Sequence, residues 1–160
     1  MTGHELTVGR RIEATPTQVW SVVTDRDRAE QVLTGVSRVE LMTDGPYAVG
    51  TRWRETRRML GWEVTHEMWV ADNDPLRRTV VEASTRGTDY RTVFTLTPVG
   101  ERATELSVTF GANTPDPGAV QKLAWRVAGR LGLRATRRAM EQDLDDIAAA
   151  AAESRARTSG

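Results

Sequence analysis

The sequence has no cysteine. Disulfides, thiolate nucleophiles and cysteine metal sites are therefore excluded. Histidine is nearly as scarce: there are only His4 and His66, and His66-Glu67 has no second histidine four residues on, so no zinc motif forms. Lysine occurs once, at Lys122, with arginine at every other basic position. A compositional bias of the source genome accounts for that. Neither sign of charge is in excess, because 22 basic and 22 acidic residues cancel. That balance argues against a nucleic-acid binder working by bulk charge. No apolar run approaches the roughly 20 residues of a membrane helix. The opening MTGHELTVGRR lacks the apolar stretch of a signal peptide. The expectation is a cytoplasmic protein without membrane insertion. There is no Gly-x-Ser-x-Gly elbow. Gly129-Arg130-Leu131-Gly132 lies inside a helical stretch and follows no strand, so it is no dinucleotide loop. No cofactor and no metal are expected.

What is present is enough for one core. The chain has 160 residues, of which 39% are hydrophobic and five are Trp, which argues against overall disorder. Residues 5–13 alternate, with Leu6, Val8 and Ile12 on one face and Arg10 interrupting it. At Thr15-Pro16 the period changes to helical, with a capping Thr and Pro at the first helical position. Asp25 to Glu30 reads as a second short helix reaching Val32 or Leu33. Six strands follow, at 36–42, 51–60, 62–71, 77–86, 90–98 and 103–110. Their connections are short, so neighbours pair antiparallel. From Ala119 to about Ser154 the chain reads as one long helix. Residues 1–154 are expected to form the domain and 155–160 a disordered tail.

Three segments sharpen this order of elements. Ile12-Glu13-Ala14-Thr15-Pro16-Thr17-Gln18-Val19-Trp20 resembles an "I-x-A-P/T-x-x-x-V-W" opening. Val49-Gly50-Thr51-Arg52-Trp53-Arg54 resembles a "V-G-T-R-hydrophobic-R" strand, and Asp74-Pro75-Leu76-Arg77-Arg78 a "D-P-P-R-R" turn. Together they resemble the START/Bet v 1-like (SRPBCC) superfamily, in its polyketide cyclase/dehydrase-like and lipid-transport branch. The resemblance implies an α+β helix-grip fold. A seven-stranded antiparallel sheet curls around the long C-terminal helix, two short helices sit between strands 1 and 2, and a cavity lies between sheet and helix. One departure is visible. Many relatives carry a Trp where this chain has Ala29-Glu30-Gln31-Val32-Leu33.

Strand alternation then assigns the cavity face. Trp62, Val64, His66, Met68 and Val70 are expected inward, with Tyr90, Thr92, Phe94 and Leu96, and with Thr104, Leu106, Val108 and Phe110. Trp53 and Met59 point inward only if Glu55 and Arg57 do too, and those two are expected to pair or to lie at the mouth, since a lone buried charge is costly. The expected ligand-binding residues are Trp53, Met59, Val64, His66, Met68, Tyr90, Phe94, Leu106, Val108, Phe110, and Leu123 and Val127 of the helix. His66 is either a hydrogen-bonded wall residue or a polar anchor or acid/base aimed at a ligand. His66, Tyr90 and Arg57 are the candidates for proton chemistry.

Three functions stay open. The leading one is a carrier that binds a hydrophobic, polyketide-, lipid- or aromatic-like molecule, as a monomer or homodimer. The second is an aromatase/cyclase acting on a polyketide-like substrate. The third is a toxin-like or co-chaperone-like surface-interaction protein using the basic stripe of Lys122, Arg126, Arg130, Arg134, Arg137 and Arg138. The acidic Asp143, Asp145 and Asp146 that follow read as a solvated helix face.

Overall fold

Ten elements were found in a computed structural model, which describes residues 3–59, 61–115 and 118–158, with the backbone alone at 3–4, 59, 119–131 and 158. They are β1 (Gly3–Ile12), α1 (Pro16–Thr24), α2 (Ala29–Val32), β2 (Val36–Leu41), β3 (Arg52–Met59), β4 (Trp62–Asp74), β5 (Arg78–Thr85), β6 (Thr88–Pro98), β7 (Thr104–Asn113) and α3 (Ala119–Thr158). The strands form one seven-stranded sheet in the order β1-β7-β6-β5-β4-β3-β2. Every neighbouring pair is antiparallel. The chain thus meanders from β2 to β7, and β1 closes on β7.

Local chemistry sets the element ends. Thr15 caps α1 through a reciprocal box. Its hydroxyl accepts from the Gln18 N–H at 3.2 Å, and the Gln18 side chain accepts from the Thr15 N–H at 3.0 Å. The β5–β6 hairpin turns on Arg86 and Gly87, both at positive φ (50° and 78°), the geometry of a two-residue type I′ turn. A register shift between Val70 and Asp72 marks a bulge in β4. Bulges bend and twist a strand, and here the bend lets β4 continue to Asp74 rather than stopping near Ala71 as the sequence suggests.

One sheet face is concave toward α3. In register it carries Leu6, Val8, Arg10 and Ile12 of β1, paired with Phe110, Val108, Leu106 and Thr104 of β7. Leu96, Phe94, Thr92 and Tyr90 of β6 follow. Met68, His66 and Val64 of β4 oppose Trp53, Glu55 and Arg57 of β3. The pairing matches the parity read from alternation, but Trp62, expected inward, is 76% exposed at the start of β4. The main core gathers at one end of this face. There Met140, Leu144, Ile147, Ala148 and Ala151 of α3 bury against Val8, Ile12, Leu96, Leu106 and Val108, with Val19 and Val23 of α1.

Polar ties hold α3 over that end. Arg10, which seemed to interrupt the apolar face of β1, reaches Asp145. Thr34 donates to Asp146 through both its N–H (2.9 Å) and its hydroxyl (3.0 Å). Arg155 donates to the carbonyl of Glu13 at 3.2 Å. Residues 155–158 continue α3. Among the described residues, no helix is long and apolar enough to cross a membrane.

Candidate functional site

Away from the main core, the same concave face changes character. Met68, Tyr90, Thr92, Phe94 and Phe110 are each only partly buried, and Val64 is 36% exposed. Phe94 touches both the main core and a second, smaller cluster of Trp53, Val70 and Val81. Ala83 of β5 stands between Met68 and Tyr90 in register. Its small side chain leaves room for His66 and Tyr90 to meet over it. Their rings lie edge to face at 5.4 Å, and Tyr90 in turn stacks on Phe110 at 5.9 Å. The result is an aromatic wall running from β4 to β7 on the face turned toward α3.

Beside the wall lies a network of charge. Glu55 is 3% exposed. Its Oε1 accepts from Arg57 Nε at 2.6 Å, and its Oε2 accepts from Trp53 Nε1 at 3.2 Å. Arg57 also donates to both oxygens of Asp143 on α3, at 3.2 and 2.8 Å. Arg26, from the link between α1 and α2, stands 3.8 Å from Glu55 and lies over the Trp53 ring at 5.0 Å. It donates to the Val23 carbonyl as well. Burial raises the Glu55 carboxyl, but the Arg57 and Arg26 charges and the hydrogen bonds to it outweigh that and hold it below the ordinary glutamate range. Burial pushes the Asp143 carboxyl up against the pull of Arg57.

His66 faces Glu55 across the β3–β4 ladder. Its Nδ1 is buried with no hydrogen-bond partner among the described residues. Burial lowers the imidazole below its ordinary value, against an opposing pull from Glu55. Burial therefore favours the neutral ring.

The expected site residues divide accordingly. Val64, His66, Met68, Tyr90, Phe94 and Phe110 come together on the partly exposed stretch. Leu106 and Val108 do not. They are 0% and 6% exposed in the main core under α3, so they are packing residues rather than an accessible wall. Trp53 faces the same way but is sealed beneath Arg26 and packed on Val70 and Val81. Arg57 has its donors committed to Glu55 and Asp143, which leaves it no free role in proton transfer. The side chains of Met59, Leu123 and Val127 lie outside the described residues, as do those of Lys122, Arg126 and Arg130. Arg134, Arg137 and Arg138 of the basic stripe are exposed. Asp143 was expected on a solvated face, and the structure instead turns it inward onto Arg57. Sequence reasoning also missed Arg26, which lies in a charged stretch, Asp25 to Glu30, that carries no periodic signal.

A meandering antiparallel sheet wrapped on a long C-terminal helix, with two small helices closing one end, is the helix-grip architecture. The family model described as "Polyketide cyclase / dehydrase and lipid transport" matches residues 3–152. The chain belongs to that family. Among solved structures it is similar to the Zhui aromatase/cyclase from Streptomyces sp. R1128, with a TM-score of 0.82 at 17% identity, covering 99% of each chain. It is also similar to TTHA0849 from Thermus thermophilus, with a TM-score of 0.79 at 18% identity, covering 94% of this chain and 99% of that one. Norcoclaurine synthase from Thalictrum flavum, in complex with dopamine and hydroxybenzaldehyde, gives 0.72 at 15% identity, covering 95% and 88%. At such identities the likeness is one of fold. No curated protein matches the sequence.

Proposed function

We propose that the protein binds an apolar small molecule between α3 and the uncovered stretch of the concave sheet face. The observation that carries this reading is the run of Val64, Met68, Tyr90, Phe94 and Phe110. These are apolar or aromatic side chains on the inward face, yet they stay partly exposed while Val8, Ile12, Leu96, Leu106 and Val108 on that face are buried. Ligand sites are built from such concave apolar walls with few polar groups. The family description and the aromatic compounds named with norcoclaurine synthase support the same reading. Burying roughly 300–400 Å² of apolar ligand surface is worth about 8–10 kcal/mol gross at ~25 cal/mol/Å². Association costs then bring the affinity into the micromolar range. An environment-sensitive apolar dye should brighten on binding and be displaced by polycyclic aromatics. A dye that stays dark at high protein concentration contradicts the proposal.

A second reading is favoured by one observation, the edge-to-face pairing of His66 with Tyr90 on that face. Here the bound compound is a polyketide-like substrate, and the His66 N–H and the Tyr90 hydroxyl hydrogen-bond the enolate oxygen that develops as the carbon between two carbonyls loses its proton to water. Turnover of a poly-β-ketone thioester that vanishes in His66→Ala, with dye binding retained, would support it. Dye binding without turnover leaves the carrier reading alone.

A further inference from the structure

We infer that the site prefers neutral ligands carrying a hydrogen-bond acceptor oxygen and rejects carboxylates, with His66 as the residue that sets the preference. The inference rests on the binding reading above and adds the chemistry of the ligand's polar end.

Among the described residues, four charged side chains stand beside the wall, and they cancel: Arg26 and Arg57 against Glu55 and Asp143. Arg57 spends Nε on Glu55 and both terminal nitrogens on Asp143. Arg26 spends one terminal nitrogen on the Val23 carbonyl and turns the other to Glu55. Its Nε is buried within the protein, so it offers nothing to a ligand. Among the described residues, an incoming carboxylate therefore has two options. It can displace Glu55 or Asp143 from a guanidinium, leaving that acid buried and unpaired. Or it can lose its own hydration without a counter-ion. Both are unfavourable for a charge leaving water.

His66 does not supply the missing cation. With Nδ1 buried and unpartnered, protonation would place a second N–H where no acceptor stands among the described residues. The accessible edge of the partly exposed ring is then Nε2. In the neutral ring that nitrogen carries the proton and donates to a ligand carbonyl, ether or phenolic oxygen. Among the described residues, the groups shown facing His66 are Glu55 of β3 and Tyr90 of β6, and Arg26, Arg57 and Asp143 tie to Glu55 beyond it. Each of the charged ones is already matched within the protein. The edge-to-face contact with Tyr90 holds the imidazole plane in place.

The test uses three probes of one ring system: 2-acetylnaphthalene, 2-naphthoate and naphthalene, titrated by displacement of a bound dye at pH 7.5. The ketone should bind at least about tenfold tighter than the carboxylate and several-fold tighter than the hydrocarbon. His66→Phe should remove the ketone's advantage over naphthalene. His66→Gln, which keeps an N–H donor, should restore part of it. Thermal melting establishes that both variants fold. Naphthoate binding as tightly as the ketone, or a ketone advantage untouched in a folded His66→Phe, overturns the inference and leaves the binding reading intact. Failure of all three probes to displace the dye overturns both.

Discussion

Two stretches of one concave sheet face are made from the same alternating strands, yet they end in different states. Toward Ile12 and Thr104, the face meets Leu144, Ile147 and Ala151 of α3 and closes to a dry core. Toward Tyr90 and His66, the described part of α3 brings a carboxylate, Asp143, and the face stays partly open behind it. The contrast shows what period-two patterning can and cannot specify. It decides which side chains point inward. Whether they are packed or left accessible is decided by the element that crosses over them. The charged network of Arg26, Glu55, Arg57 and Asp143 sits between the two stretches, tying the sheet to the helix without filling the space as leucines would.

Substitutions can break this contrast in order of expected effect. The largest belongs to the boundary. Glu55→Ala leaves Arg26 without its counter-ion and Trp53 Nε1 without its acceptor, and should lower stability by about 3–5 kcal/mol, read by denaturant unfolding. Leu144→Ala, in the closed stretch, should remove about 2–4 kcal/mol through the cavity it leaves, with dye affinity of the folded fraction unchanged. His66→Ala, in the open stretch, reverses the pattern. Stability should change by less than about 1 kcal/mol, while affinity for a neutral ketone falls.

His66 also predicts a pH dependence. Its folded pKa lies below the unfolded value of 6.5 because burial disfavours the imidazolium, so the unfolded chain binds the proton more readily. The wild type should thus hold its stability above pH 6.5 and lose it as the pH falls below that value toward the folded pKa. The part of this slope due to His66 should be missing in His66→Gln, as measured by unfolding at a series of pH values. The smallest effect is a control that touches neither stretch. Leu76 sits at φ 70° after Pro75 in the β4–β5 turn, where a Cβ is strained. Leu76→Gly should raise stability by about 0.5–1 kcal/mol and leave binding alone.

Much of this architecture was legible in the residues. Thr15-Pro16 marked α1, the change of period marked the sheet, and alternation placed Trp53, His66 and Tyr90 on one face. The same logic turned Glu55 and Arg57 inward and required them to pair. What stayed hidden depends on contacts between distant segments. Asp143 looked solvated because nothing local shows that a helix acid lies opposite an arginine 86 residues earlier. Arg10 looked like a defect in a strand until Asp145 supplied its partner. Leu106 and Val108 carried the correct parity for the ligand face, but parity says nothing of the leucine and alanine ridge of α3 that covers them. Arg26 had no periodic neighbours to give it a phase.

Two methionines report on the two stretches directly. Met68 stands in the open part of the face, and Met140 is buried in the closed part. With methyl groups labelled with carbon-13, titration of 2-acetylnaphthalene should shift the Met68 methyl resonance to saturation and leave that of Met140 in place. A shift confined to Met140, or movement of the exposed Met42 with Met68 unmoved, would contradict the assignment of the open stretch as the ligand site.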